Sequence, residues 1–181
     1  MATVIILNGV SSVGKTTLAE AIQKTARADF LHLSMDGFIA MLPDGREFAP
    51  NWFPVEHLQS NEGRLVRIHN GPLGKRLLLQ MRAFAAELAD GGFNVIVDEV
   101  CEAAEIESYR ELLVGHKMHV VKVTANLAEV ERRERERGDR LIGLAREQDG
   151  RIHTDIEYDQ VVDTSVRSSD ECATDILSAI V

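Results

Sequence analysis

Two glycines bracket four residues and are followed at once by a lysine and two threonines in GVSSVGKTT, Gly9 to Thr17. This is the G-x-x-x-x-G-K-[ST] pattern, fed by the apolar run VIILN and leaving into the helix-compatible KTTLAEAIQKTA. Its chemistry is phosphate binding. Gly9 and Gly14 let the backbone through Ser11, Ser12 and Val13 turn its amides inward around a β-phosphate, and the helix start adds partial positive charge. Lys15 is placed to reach the β- and γ-phosphates, and the Thr16 hydroxyl to hold Mg²⁺. Thr17 adds a second hydroxyl that local backbone groups of the first helical turn can equally occupy. The expected cofactors are ATP and Mg²⁺, against the plainer reading of a glycine-rich turn that binds nothing.

Three further features bear on the reaction. NVIVDEV, Asn94 to Val100, is an apolar strand ending in Asp98 and Glu99, where a phosphate-loop protein keeps the acid that holds Mg²⁺ through water. Asp98 is the expected metal residue and Glu99 its substitute. In SMDGFIAMLP, Asp36 follows the strand-like LHLSM and opens toward the same sheet edge. There it can take the proton of an attacking hydroxyl, or simply cap the next helix. In ERRERERGDR, Arg133, Arg137 and Arg140 can reach from a flap onto a transferring phosphate; otherwise they face solvent in pairs such as Glu131 with Arg135. Lys15, Asp36, Arg133 and Arg137 are the expected catalytic residues, with Arg133 and Arg140 also binding the nucleotide. The guanine-selecting Asn-Lys-x-Asp pattern is absent.

Positioning these residues takes a parallel sheet. Short apolar runs at 3–7, 31–35, 94–97, 119–123 and 160–162 alternate with helix-compatible segments at 15–26, 72–89, 103–114, 127–137 and 169–180. Continuous apolar strands between helices predict an α/β, doubly wound, five-stranded parallel sheet flanked by helices. Residues 1–181 read as one domain. Between Leu42 and Leu73 stand all four prolines and the single Trp, and this stretch reads as a long irregular segment with one short helix. Phe48, Trp52 and Phe53 within it either line an acceptor site or pin the loop to the core.

Composition narrows the partners. A formal net charge of −9 over 181 residues repels a phosphate backbone, so no nucleic-acid partner is expected. Two distant cysteines, Cys101 and Cys172, suggest neither a disulfide framework nor a zinc site, and a cytoplasmic location follows. The six histidines show no metal-ligand spacing. No run is long enough for a membrane span. A homo-oligomer is left open.

GVSSVGKT, SMDGFIAMLP, NVIVDEV, RGDRLIG and IEYDQVVDTS stand in the order and spacing of the chloramphenicol phosphotransferase-like family, which the chain resembles nearly end to end. The resemblance implies ATP-dependent transfer of the γ-phosphate to a hydroxyl of a small-molecule acceptor. It also implies a nucleoside-kinase-like phosphate-loop fold with an arginine-bearing lid, about residues 131–153, and an acceptor region at about 37–80. Lys15 and Thr16 match its phosphate-loop pair, Asp36 its base, and Arg133 and Arg137 its lid positions. Between Asp44 and Leu73 the chain departs from the family with its own GREFAPNWFPVEHLQ. The alternatives are a nucleotide, sugar or nucleotide-sugar kinase and a non-catalytic ATP-binding regulator; only the enzymes need Asp36.

Overall fold

The computed structural model describes residues 1–60, 63–138 and 140–180; Asn61, Glu62, Asp139 and Val181, which fall in the expected acceptor region, lid and C-terminus, lie outside the described residues. The chain runs β1 (Thr3–Asn8), α1 (Lys15–Thr25), β2 (Phe30–Ser34), α2 (Met35–Ile39), β3 (Val55–Ser60) and β4 (Gly63–Ile68). It continues through α3 (Pro72–Asp90), β5 (Asn94–Glu99), α4 (Ala103–Leu112) and β6 (Lys117–Thr124). It ends with α5 (Leu127–Arg137), α6 (Leu144–Asp149), β7 (Gln160–Asp163) and α7 (Ser169–Ala179).

Strands β2-β5-β1-β6-β7 form a parallel five-stranded sheet, the doubly wound α/β architecture that the alternating runs predict. Successive strand residues face opposite sides, so the buried β1 run divides its side chains between two cores. Ile5 and Leu7 pack with Leu18 and Ile22 of α1 and Ile176 of α7, whereas Val4 and Ile6 pack with Met81 of α3 and Tyr109 of α4. Each fully buried aliphatic side chain here contributes on the order of 1.5–3 kcal/mol. Phe53 joins the second core at 3% exposure, while Phe48 is exposed. Both cysteines are buried and free. Among the described residues no helix is long and apolar enough to cross a membrane.

The stretch between Leu42 and Leu73 differs from the irregular segment expected of it. Residues Val55–Ser60 and Gly63–Ile68 pair as an antiparallel hairpin. Neither strand alternates cleanly between apolar and polar, and two strands alone are marginal in water, so no local signal marks them. Tertiary contact supplies the support. Val66, almost fully buried, donates its amide to the carbonyl of Gly143 just before α6.

Under the carboxyl edge of the sheet, Asn8 ties three segments together. Its Nδ2 donates to Cys101 O at 3.0 Å and to Tyr158 Oη at 2.8 Å, while Cys101 N donates to its Oδ1 at 2.8 Å. Tyr158 Oη lies 2.7 Å from His153 Nδ1. With Asn8 donating to it, the phenol has its own proton for Nδ1, which places the imidazole proton on Nε2. Burial, with Lys122 and Lys15 nearby, pulls the His153 pKa down to about 4, and burial pushes the Tyr158 phenol up to about 12.

This arrangement carries a pH dependence. The unfolded imidazole titrates near its ordinary value of about 6.5, so between there and about 4 the unfolded chain holds the extra proton. Native stability is therefore intact above about pH 6.5 and lost as pH falls toward about 4. Because His153 is only half-buried, solvent screening leaves a loss of about 1 kcal/mol. Thermal melts from pH 7 to 4.5 should show His153→Gln flattening the acid limb; an unchanged limb would mean that other groups cause it.

Candidate active site

The phosphate loop is built by close approach. A Cβ on Gly9 would sit 2.4 Å from Val123 O of β6 and 2.9 Å from a Val13 methyl, so only glycine lets the loop leave β1 beside β6. Gly14 is left-handed at φ 103°, and Ser12, at φ 61°, is one of two described non-glycine residues with positive φ. Lys15 opens α1 and is buried at 8% exposure. Its Nζ donates to Gly9 O at 2.8 Å and Val10 O at 3.0 Å and lies 3.8 Å from Asp98 Oδ1. Burial pulls the ammonium pKa down, opposed by the charges of Asp98 and Asp36.

Strand register brings the acids to this loop. Asp98 on β5 stands level with Leu7 of β1 and Ser34 of β2, at the carboxyl edge they share. Thr16 Oγ1 donates to Asp98 Oδ2 at 2.7 Å. His32 Nε2, buried and without a hydrogen-bond partner, lies 3.8 Å from the same oxygen. Burial raises the Asp98 pKa, but the His32 imidazole, Lys15 and the Thr16 hydroxyl together hold its carboxyl below the usual range. Glu99, one residue on, turns to the opposite face. Its fully buried carboxylate accepts from Arg82 of α3 at 2.5 Å and from Tyr109 Oη of α4 at 2.6 Å. Burial nevertheless raises the Glu99 pKa.

Asp36 lies in the first turn of α2, but Ser34 caps that helix, its Oγ accepting from Gly37 N at 3.1 Å. The Asp36 carboxylate is half-exposed and pairs with Arg140 Nη2 at 2.5 Å. Arg133 turns elsewhere: it donates to Val13 O and to both oxygens of Thr164, at 3.0–3.3 Å, and pairs with Glu129. Arg137 lines the cleft with Thr17. The charge-dense stretch is not a plainly solvated helix. Glu134 is buried and accepts from Gly143 N and Ala145 N, capping α6, and Glu131 pairs with Arg146 at 2.6 Å.

These residues surround one cleft of about 1550 Å³, larger than the space a single drug-sized ligand needs. It is lined by the phosphate loop and also by Leu42, Phe48, Phe53, Arg67, Lys75 and Arg82. The loop region suits a polyphosphate. Ser12 Oγ is buried with no partner, and Lys15 spends its charge on carbonyls and on Asp98. Thr16 and Asp98 offer the hard oxygen donors that Mg²⁺ takes. Among the described residues no three His, Cys, Asp or Glu side chains converge, so the rest of an Mg²⁺ shell would come from phosphate and water.

Several residues at and behind the cleft wall escape sequence reading. Gln148 accepts from Ser11 N, Glu147 from Arg67 and Arg151, and Thr164 Oγ1 donates to Val13 O. Arg82 had one signal, a lone arginine inside the apolar run LLLQMRAFAA. The others carry none beyond the i, i+4 spacing of Glu147 and Arg151, because their remaining partners lie far away in the chain.

The chloramphenicol phosphotransferase-like protein family matches residues 2–181. A Mycobacterium tuberculosis (strain H37Rv) protein provisionally named an O-phosphotransferase is 34% identical over 180 residues, covering 95% of this chain and 79% of its own. The APS kinase of M. tuberculosis, solved with AMPPNP and APS, superposes with a TM-score of 0.66 at 17% identity over 98% of this chain and 96% of its own. A gluconokinase from Sinorhizobium meliloti 1021 gives a TM-score of 0.64 at 16% identity, covering 98% and 91%. At these identities the two structures share the fold. The chain belongs to the chloramphenicol phosphotransferase-like family of phosphotransferases.

Proposed function

We propose that the protein moves the γ-phosphoryl group of Mg·ATP to a hydroxyl of a small-molecule acceptor, within a single domain whose acceptor region spans about 37–80 and whose lid spans about 131–153. One observation carries this reading: Asp36, free of capping duty and held by Arg140, lines the same cleft as Lys15, Thr16 and Asp98. A nucleotide sensor has no need of that carboxylate.

In this reading the acceptor hydroxyl gives its proton to Asp36 as its oxygen bonds to the γ-phosphorus, and the bond to the β-phosphate oxygen breaks to release ADP. Lys15 neutralises charge on the β- and γ-phosphates, and the loop amides after Ser11, whose own N–H Gln148 holds, cradle the β-phosphate with Ser12 Oγ. Thr16 and Asp98 would hold Mg²⁺, which supplies charge neutralisation across the phosphates. Arg140 steadies Asp36, and Arg137, which lines the same cleft, would meet the transferring group. Arg133, bridging the loop and the β7 exit, serves the nucleotide side. The apolar wall of Leu42, Phe48 and Phe53 receives the acceptor body. The test is an ATP-consumption screen over hydroxyl-bearing antibiotics, sugars, sugar acids and nucleosides, in which one class raises ADP formation well above the acceptor-free rate.

Lid closure gives a second readout. Hydrogen exchange across 131–153 should slow when Mg·ATP binds, because closure orders the exposed arginine face of α5. Identical exchange with and without nucleotide would leave this segment as a fixed wall.

A further inference from the structure

Two adjacent side chains of α6 reach two different elements, the phosphate loop and the hairpin. Gln148, 7% exposed, places Oε1 2.6 Å from the amide nitrogen of Ser11 in the phosphate loop. Glu147 accepts from Arg67 Nε of the β4 hairpin at 2.6 Å and from Arg151 Nε at 3.1 Å, and Arg151 pairs in turn with Glu102 after β5. Glu134 caps the start of the helix, and Gly143 O receives Val66 N from β4. So α6 is fastened to the hairpin by backbone and side chain, and to the loop by one amide.

That amide belongs to a particular peptide plane. Ser11 N–H and Val10 C=O share one planar unit and point in opposite directions. On the far side of the unit, Val10 O accepts from Lys15 Nζ at 3.0 Å. Gln148 and Lys15 therefore clamp the same peptide from its two ends. Rotation of that plane would move the carbonyl that seats the Lys15 ammonium, the charge meant for the phosphates.

We propose that Gln148 is a positioning residue for Lys15, acting through the Val10–Ser11 peptide, and that Glu147 extends this control to Arg67, so that the hairpin of the acceptor half sets nucleotide affinity. The inference rests on the reading of the loop as an ATP site. Its consequence is linkage: whatever shifts the hairpin shifts the seat of Lys15, and the effect is reciprocal.

The test uses the full chain with Mg·AMPPNP as probe, Kd by calorimetry and Tm by thermal melt. Gln148→Met keeps length and loses the acceptor, and its Kd should rise about 10-fold, the scale of one buried hydrogen bond. Arg67→Met, at the cleft rim and away from the loop, should raise Kd about threefold while leaving the fold intact, in keeping with the usual size of coupling through a network. The double variant should bind no worse than Gln148→Met alone, since both act on one peptide. If both single variants lose Tm but keep the wild-type Kd, the role is structural and the proposal is overturned. Multiplying effects in the double variant overturn the link to the hairpin. If Gln148→Met does not fold, Arg67→Met still decides, because an unchanged Kd contradicts the link. A wild type that fails to bind Mg·AMPPNP removes the ATP-site reading and this inference together.

Discussion

Replacing Asp36 by Asn should slow phosphate transfer by at least about 100-fold in kcat while leaving Mg·ATP affinity near that of wild type. The substitution keeps the size of the side chain and one oxygen for Arg140, and removes the negative charge and with it the ability to take a proton. Capping does not confuse the outcome, because Ser34 caps α2. A lost cap would cost on the order of 1 kcal/mol of stability, whereas general-base contributions run to roughly 10²- to 10⁴-fold in rate. The ion pair with Arg140 is partly exposed, so its weakening should move Tm by no more than a few degrees. Rate and Tm measured on the same preparation separate the two roles. Normal turnover per folded molecule would remove Asp36 from the chemistry.

Lys15→Ala should cost on the order of 10²- to 10³-fold in kcat/KM, through loss of charge at the β- and γ-phosphates. The structure argues that the fold survives. Burial disfavours the Lys15 ammonium, so the native state spends stability to keep it at the loop, and its truncation relieves that cost. The carbonyls of Gly9 and Val10 lose a donor, which offsets the gain. Tm within a few degrees of wild type with transfer abolished is the expected pair of results. Wild-type activity in this variant would contradict the phosphate-loop assignment.

The sheet and the loop were legible because their signals are local. Continuous apolar runs such as VIILN and NVIVD mark strands buried on both faces, and GVSSVGKT encodes its geometry within eight consecutive residues. Asp98 and Asp36 were reachable by one further rule, that parallel strands present their carboxyl ends to one edge, and the register of β1, β5 and β2 agrees. The hairpin was hidden because Val55–Ser60 and Gly63–Ile68 lack clean alternation and depend on α6. Glu99 looked like Asp98 in the sequence. Only the pleat, which turns alternate residues to opposite faces, sends it to Arg82 and Tyr109 instead. Gln148 meets Ser11 across 137 positions, and nothing in REQDGRI marks that contact.

The arginines of the charge-dense stretch divide by geometry that composition does not contain. ERRERERGDR offers interchangeable cations, yet Arg133 bridges Val13 and Thr164 whereas Arg140 meets Asp36. The division follows from the helix. Arg133 projects from the body of α5 toward the β7 exit, and Arg140 lies beyond the left-handed Gly138 that ends it.

In the proposed reaction phosphate leaves the nucleotide for a hydroxyl oxygen of a second molecule. The decisive measurement uses ATP carrying ¹⁸O in its γ-phosphate, incubated with the protein, Mg²⁺ and the best acceptor from the screen, followed by mass spectrometry of that acceptor. The acceptor should gain a phosphoryl group retaining the three labelled terminal oxygens, its bridging oxygen unlabelled and its own, and Asp36→Asn should form this product at least about 100-fold more slowly. Labelled phosphate appearing only as inorganic phosphate, or nucleotide binding with no turnover on any acceptor, would contradict that reaction.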